Sequence, residues 1–131
     1  MKDVTIKKAV PEDALILAKI QNESFKSAFT DLLDESIIEE CTRLSPAVAM
    51  YGELLDAGKG HGYILTLDQI PHAIAWWDRA RDEDMGDFCE LICIHSLKEN
   101  RHMGYGSLLL KLVLSDMNNT GFAKVYLWVF S

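Results

Sequence analysis

The sequence has few basic residues and no long apolar run, and each shortage excludes a class of protein. Lysine and arginine together number 13 against 20 aspartates and glutamates, which gives a formal net charge of −7. Domains that bind nucleic acid normally present a basic face, so we expect no nucleic-acid partner. No stretch approaches the roughly 18 consecutive apolar residues of a transmembrane helix, and we therefore expect no membrane association.

Cysteine is also scarce. Cys41, Cys89 and Cys93 are an odd number of thiols, and Cys89 and Cys93 lie in one apolar run. Disulfide frameworks use even numbers of cysteines in secreted chains, so the sequence predicts reduced, buried thiols. The first residues, MKDVTIKKAV, lack the apolar segment of a secretory signal. Together these features indicate a cytoplasmic protein.

The 131 residues contain no repeat, low-complexity segment or linker, and we predict one domain over residues 1–131. Hydrophobic periodicity predicts a strand, then helices, then three strands, a helix and a last strand. The strands are expected at 4–10, 63–67, 72–78, 88–96 and 124–130, and the helices at 11–29, 31–44, 47–55 and 107–119. Ser45-Pro46 either ends or restarts a helix. This order predicts an α/β (α+β) sandwich with a mixed sheet and a right-handed parallel crossover at its end.

One motif stands between the nearly all-apolar strand FCELICIHS and the amphipathic helix SLLLKLVLSDM. It reads RHMGYGS, from Arg101 to Ser107. The N-terminus of a helix carries unpaired N–H groups and partial positive charge, which bind phosphate. Gly104 and Gly106 would let a ligand approach the backbone, and Arg101 would add a charged contact. The alternative is a plain tight turn.

The segment ELICIHSLKENRHMGYGSLLLKLVLSDM resembles the acetyl-CoA-binding segment of the GNAT superfamily of N-acetyltransferases. That family has a Q/R-x-x-G-x-G/A turn, whose positions Arg101, Gly104 and Gly106 fill. A proline often stands three residues before the Q/R position, where this chain has Lys98. The resemblance implies a mixed, mostly antiparallel sheet flanked by helices, and transfer of an acetyl group from acetyl-CoA to a primary amine without a metal.

The resemblance also implies which residues hold the co-substrate. Peptide groups of Ile94 and Ser96 would pair with the pantetheine arm, and the N–H near Ile94 would polarise the thioester carbonyl. Backbone amides of the glycine turn would hold the pyrophosphate of CoA. These amides belong to Arg101, His102, Met103, Gly104, Tyr105, Gly106 and Ser107.

Glu90 is an acid inside an apolar strand, where an ionised carboxylate is costly to bury. Several members of the GNAT superfamily carry a general-base glutamate eleven residues before the Q/R position, and Glu90 stands eleven residues before Arg101. An amine is protonated near neutral pH, so it needs a base before it can attack. The alternative is a structural ion pair with Arg79 or Arg81.

Cys89 and Cys93 have odd positions on one strand, which would place them on one face near His95. Their C-x3-C spacing does not match the usual zinc pairs, and we expect small core residues and no metal. A covalent acetyl-cysteine would need an activated thiolate, which the sequence does not indicate. His95 and His102 are alternative bases, although His102 in the glycine turn is equally suited to contact solvent or phosphate.

Trp76 and Trp77 should point to opposite faces of their strand, with one in the core and the other either in the core or on a substrate wall. Five acids crowd the connection between the first two helices, where they either attract an amine or form a solvated helix face. They are Asp31, Asp34, Glu35, Glu39 and Glu40.

GNAT members normally continue with a further helix and two strands, and the helix carries a tyrosine that protonates the leaving thiolate. By this resemblance the chain is shortened, and Tyr105 and Tyr126 do not stand at that position. The last strand, KVYLWVF, is apolar on both faces, so we expect a homodimer that covers it. A non-catalytic CoA-binding module and a structural remnant that only dimerises are the alternatives to an enzyme.

Overall fold

The computed structural model describes residues 3–79, 88–98, 104–121 and 124–127. The strands are β1 (Val4–Lys8), β2 (His61–Leu67), β3 (Ile70–Arg79), β4 (Phe88–Ser96) and β5 (Lys124–Leu127). The helices are α1 (Ala14–Phe29), α2 (Glu35–Cys41), α3 (Leu44–Asp56) and α4 (Tyr105–Asn119), and a 3-10 turn (Pro11–Asp13) precedes α1.

The five strands form one sheet in the order β1-β2-β3-β4-β5. Neighbours from β1 to β4 run antiparallel, and β5 runs parallel to β4. The predicted mixed, mostly antiparallel sheet is therefore confirmed. Helix α4 packs on one face of the sheet, which we call the α4 face, and α1 and α3 pack on the other, the α1–α3 face.

A hydrogen-bond chain ties α4 to its face of the sheet. The indole N–H of Trp77 donates to the hydroxyl of Tyr63 at 2.9 Å, and that hydroxyl donates to Oδ2 of Asp116 on α4 at 2.7 Å. Burial of Tyr63 raises the pKa of its phenol, so the hydroxyl remains a donor at neutral pH. Because α4 begins at the glycine turn, this chain helps to fix the position of that turn on the sheet.

Replacing Tyr63 by Phe removes both bonds and keeps the ring. We expect the free energy of unfolding to fall by about 1–3 kcal/mol, measured by chemical denaturation. A double-mutant cycle with Asp116→Ala is the control. The two substitutions should be less than additive, because each removes the same bond. Full additivity would show that the bond contributes no stability.

The α1–α3 face is built around Trp76, which is buried beside Ile64 and Leu17. The ring of Trp76 lies directly over the backbone of β2. A Cβ placed on Gly62 would stand 2.5 Å from Cζ3 of this ring and 3.2 Å from Cβ of Ala9. Glycine is thus required at position 62 by space rather than by backbone conformation.

The helices after α1 differ in their bounds from the sequence prediction. The second helical run, predicted over 31–44, is a short α2, and α3 restarts with Ser45 and Pro46 in its first turn. Pro46 fits there because the first N–H groups of a helix have no intrahelical acceptor. On α1, Leu15 is exposed and Ile20 is buried.

Strand β4 contains one residue more than its partner. Trp76 pairs with Cys93 and Trp77 pairs with Leu91, so Ile92 is the additional residue of a β-bulge. The expectation that Cys89 and Cys93 share a face is therefore wrong. Cys89 packs with α4, and Cys93 packs on the α1–α3 face.

Within the described residues, β5 is the edge strand and pairs on one side only, with β4. The expected homodimer at this edge stays a prediction, which a mass measurement in solution would test. No helix in the described part of the chain combines the length and the apolar character needed to cross a membrane.

Candidate active site

The amino-terminal end of α4 is shaped by glycine. Gly104 caps the helix with a φ of 85°, a left-handed conformation that glycine adopts without strain. Gly106 follows in the first turn, and no described atom lies within 4 Å of a Cβ added there. The first N–H groups of α4, from Tyr105 to Ser107, have no acceptor within the helix. An anion placed near these N–H groups would be stabilised by the helix dipole.

The neighbouring edge of β4 offers polar backbone groups. The N–H of Leu97 donates to the carbonyl of His72 on β3 at 2.9 Å. Because peptide groups alternate sides along a strand, those of Ile94 and Ser96 point away from β3. The described pairing with β5 extends along β4 only from Phe88 to Leu91. The predicted pantetheine contacts of Ile94 and Ser96 stay predictions, while Arg101, His102 and Met103 lie outside the described residues.

Glu90 lies on the α1–α3 face of β4, opposite Asp78 of β3 in the register. Its side chain is only 1% exposed. Residues directly opposite in an antiparallel pair have Cβ atoms about 4.5–5.5 Å apart. Two acidic side chains thus start from opposite positions on one face, which the sequence did not predict because the bulge sets the register. The role of Glu90 as a base stays a prediction.

A cavity of about 380 Å³ opens on the same face between α1, α3, β3 and β4. Two buried aromatic rings and several aliphatic side chains form most of its wall. The lining residues are Gln21, Met50, Tyr51, Leu54, Trp76, Asp78, Ile92 and Cys93. Asp78 lines the cavity and is paired with Glu90 in the strand register, so Glu90 neighbours a lining residue. No sequence pattern marks Gln21, Tyr51 or Asp78 as cavity residues, because their elements meet only in the folded chain.

The hydroxyl of Tyr51 connects three elements at the floor of this cavity. It donates to Oε1 of Gln21 on α1, and it lies 3.8 Å from Sγ of Cys93 on β4. Burial raises the pKa of Tyr51, and burial raises the pKa of Cys93 to about 11. Both groups are therefore neutral near pH 7, and Cys93 is not an activated nucleophile.

His95 is part of the same face but not of the cavity lining. Its Nδ1 lies 3.2 Å from Oγ of Ser24 on α1, and burial lowers the pKa of its imidazole. His95 is thus neutral at pH 7 and links β4 to α1. Among the described residues, no three of His, Cys, Asp and Glu are grouped so as to hold a metal ion. His102 lies outside the described residues.

The remaining candidates have clear positions. Trp76 and Trp77 point to opposite faces as predicted, and both are buried, with Trp76 also lining the cavity. Cys41 is exposed, contrary to the prediction of three buried thiols, and all three cysteines are free. Each of the five acids between Asp31 and Glu40 is exposed, as in a solvated helix face.

Among the solved structures that resemble the chain over nearly all its length are the following three N-acetyltransferases. PaiA N-acetyltransferase from Thermoplasma acidophilum, in complex with coenzyme A, has a TM-score of 0.83 and 18% identity, covering 97% of this chain and 79% of that one. A GCN5-related N-acetyltransferase from Ralstonia eutropha JMP134 has a TM-score of 0.76 and 14% identity, covering 97% and 84%. The ribosomal-protein-alanine N-acetyltransferase from Brucella melitensis biovar Abortus 2308 has a TM-score of 0.67 and 13% identity, covering 95% and 79%.

The chain has the GNAT fold. No protein-family model matches the sequence, and no curated protein matches it either. The likeness is thus one of fold, at identities too low to carry an activity from one protein to another. It confirms the resemblance first indicated by Arg101, Gly104 and Gly106. In this chain, the glycine turn and the side of β4 that faces away from β3 are distinct from the cavity, which lies on the α1–α3 face.

Proposed function

We propose that this protein is an N-acetyltransferase that transfers the acetyl group of acetyl-CoA to a primary amine by direct attack in a ternary complex. The observation that carries the proposal is the glycine-capped start of α4, which follows the outward-facing peptide groups of Ile94 and Ser96. The solved structure of similar fold from Thermoplasma acidophilum is a complex with coenzyme A. Among the described residues, the N–H groups at the start of α4 and the peptide groups of β4 beyond Leu91 have no strand or helix partner on that side. Such groups together suit a diphosphate joined to an amide-containing arm.

Each part of the co-substrate would have its own partner. Backbone N–H groups from Arg101 to Ser107 would bind the pyrophosphate, with Gly104 and Gly106 providing the room. Peptide groups of Ile94 and Ser96 would pair with the pantetheine amides as a neighbouring strand does. The N–H of Ile94 would then face the thioester carbonyl and stabilise the oxyanion that forms on attack.

The chemical step needs a neutral amine. Glu90, directly or through a water molecule, would accept a proton from the bound ammonium group, and the amine nitrogen would attack the thioester carbon. A C–N bond forms, the C–S bond breaks, and the nitrogen gives its second proton, directly or through water, to the leaving thiolate of CoA. The protonated Glu90 then releases its proton to solvent. The neutral thiol of Cys93 favours this direct route over an acetyl-cysteine intermediate.

Thermal unfolding with acetyl-CoA tests the binding half of the proposal. Because the ligand would bind only the folded chain, 100 times its Kd should stabilise the protein by about 2.7 kcal/mol. Release of the CoA thiol with an amine then tests catalysis. Stabilisation without thiol release from any amine would indicate the non-catalytic module. The absence of stabilisation would refute the proposal and leave the structural remnant.

Gly106→Glu should weaken phosphate binding without weakening folding, and thermal unfolding with and without acetyl-CoA measures both effects. An acid in the first turn of a helix is favourable to the helix, and no described atom outside the helix lies within 4 Å of a Cβ added at Gly106. The free protein should therefore melt no lower than the parent. The carboxylate should nevertheless repel the diphosphate and abolish stabilisation by acetyl-CoA. Gly106→Ala is the control and should keep it. Unchanged acetyl-CoA stabilisation in Gly106→Glu would show that the diphosphate binds elsewhere.

A further inference from the structure

The cavity on the α1–α3 face has a size and a lining that select one class of amine. Its volume is about 380 Å³, near the lower end of the roughly 300–1,000 Å³ of ligand pockets. Resting on the function proposed above, we propose that this cavity binds the acceptor, and that the acceptor is a small primary amine carried on a single apolar body. That body is an aromatic ring or a branched aliphatic group.

The cavity wall suits such a body. The rings of Tyr51 and Trp76 lie with centroids 5.5 Å apart, inclined at 54°, and both residues are almost fully buried. They form a fixed corner, because neither ring can turn without displacing the core. Met50 and Ile92 are partly exposed and border the opening. An apolar body entering past them would be enclosed by aromatic and aliphatic surface.

The polar side chains of Gln21, Tyr51 and Cys93, which line the cavity, already contact one another. The hydroxyl of Tyr51 donates to Gln21, and the thiol of Cys93 lies beside the same hydroxyl. Because burial raises the pKa of both Tyr51 and Cys93, neither contributes a charge. The floor thus offers little to a ligand with many hydroxyl or amino groups, which would lose hydration without gaining equivalent bonds.

Asp78 provides the charge that an ammonium group needs. It is the only formally charged residue among the described residues that line the cavity. Its Oδ1 accepts a hydrogen bond from the N–H of Arg79 at 2.7 Å, which fixes the carboxylate against the strand. Since Asp78 stands opposite Glu90, an ammonium held by Asp78 would lie beside the proposed base. One carboxylate matches one cationic group, whereas a polycation would place further charges against apolar wall.

The test is the rate of CoA thiol release with five amines. 2-Phenylethylamine and 3-methylbutylamine represent the proposed class, while spermidine, kanamycin and a short peptide with a free amino terminus represent polyamines, aminoglycosides and proteins. We expect kcat/KM for the first two amines to exceed that for the other three by at least about tenfold. They should also raise the melting temperature of the CoA-bound protein.

Substitutions of lining residues test whether the amine binds in this cavity. Asp78→Asn keeps an oxygen for the Arg79 bond but removes the charge, and it should raise KM for 2-phenylethylamine by about 10–100-fold while stabilisation by acetyl-CoA is unchanged. Met50→Trp should narrow the opening and raise KM as well. Asp56→Asn removes an exposed carboxylate at the end of α3, outside the cavity, and should leave KM unchanged.

The outcomes separate this inference from the function on which it rests. Preferential acetylation of spermidine, kanamycin or the peptide would overturn the acceptor class while the N-acetyltransferase function stands. An unchanged KM in Asp78→Asn and Met50→Trp would overturn the location. The inference would also be overturned if both small amines failed to release thiol and failed to change the melting temperature. Loss of acetyl-CoA binding in the parent chain would instead refute the proposed function itself.

Discussion

Glutamine in place of Glu90 should lower the turnover of acetyl transfer by about 10²–10⁴-fold, the usual contribution of a general base. The substitution keeps the shape of a side chain that is only 1% exposed, but glutamine cannot accept a proton. Binding of acetyl-CoA should be unaffected, because Glu90 faces α1 and α3 while the peptide groups proposed to bind pantetheine lie along the edge of β4. The measurement is the rate of single-turnover thiol release over a range of pH. In the parent the rate should fall at low pH as Glu90 becomes protonated, and this fall should be absent from the variant.

Glu39→Gln provides the matched control, since Glu39 is an exposed glutamate on α2 and should give parental turnover. Two other results would remove Glu90 from the mechanism. Parental turnover in Glu90→Gln would show that the proton leaves by another route. A large fall in melting temperature, together with weaker acetyl-CoA binding, would favour a structural pairing of Glu90.

The second large effect concerns stability. Gly62→Ala should lower the free energy of unfolding by about 1–3 kcal/mol, as overpacked cores do. The added Cβ would stand 2.5 Å from Cζ3 and 2.6 Å from Cε3 of Trp76, and the ring cannot withdraw without moving Tyr51 and the helices above it. Chemical denaturation measures the change, and the intrinsic fluorescence of the tryptophans would report movement of the ring.

Gly52→Ala is expected to have the opposite effect on stability. Gly52 lies inside α3 with no atom within 4 Å of an added Cβ, so alanine should raise stability by about 0.5–1 kcal/mol through its higher helix propensity. Combining Gly62→Ala with Trp76→Phe should remove most of the penalty relative to Trp76→Phe alone, because the smaller ring vacates the space. A penalty that persists in this background would place its origin in the backbone of β2.

Local patterns were sufficient to predict most of the elements. The bounds of β4 were predicted correctly because its residues are almost uniformly apolar between polar flanks. The two strands that form a hairpin as β2 and β3 were also predicted, at 63–67 and 72–78, and the turn between them places Asp68 and Gln69 at φ values of 50° and 71°. Both are left-handed, as a two-residue hairpin loop requires. The sequence alone gave no sign that two residues without glycine would adopt this turn.

The parts that sequence could not predict depend on contacts between distant elements. The cavity needs Gln21 from α1, Tyr51 from α3 and Cys93 from β4, and no local spacing relates these positions. Asp78 was overlooked for the same reason, since its place beside Glu90 follows from the strand register. The sequence did indicate the glycine turn at α4, because a positive φ and room for a ligand both call for glycine at specific positions.

The bulge in β4 also limits how the length of this strand can vary. Deleting Ile92 would restore regular pairing with β3 and leave every other side chain of β4 on its present face. Deleting a residue on either side of the bulge would shift the register there and reverse the faces of the residues beyond it. When sequences of this fold are aligned with this chain, a single-residue gap in β4 therefore belongs at Ile92, where it changes the curvature of the strand but not the orientation of Glu90.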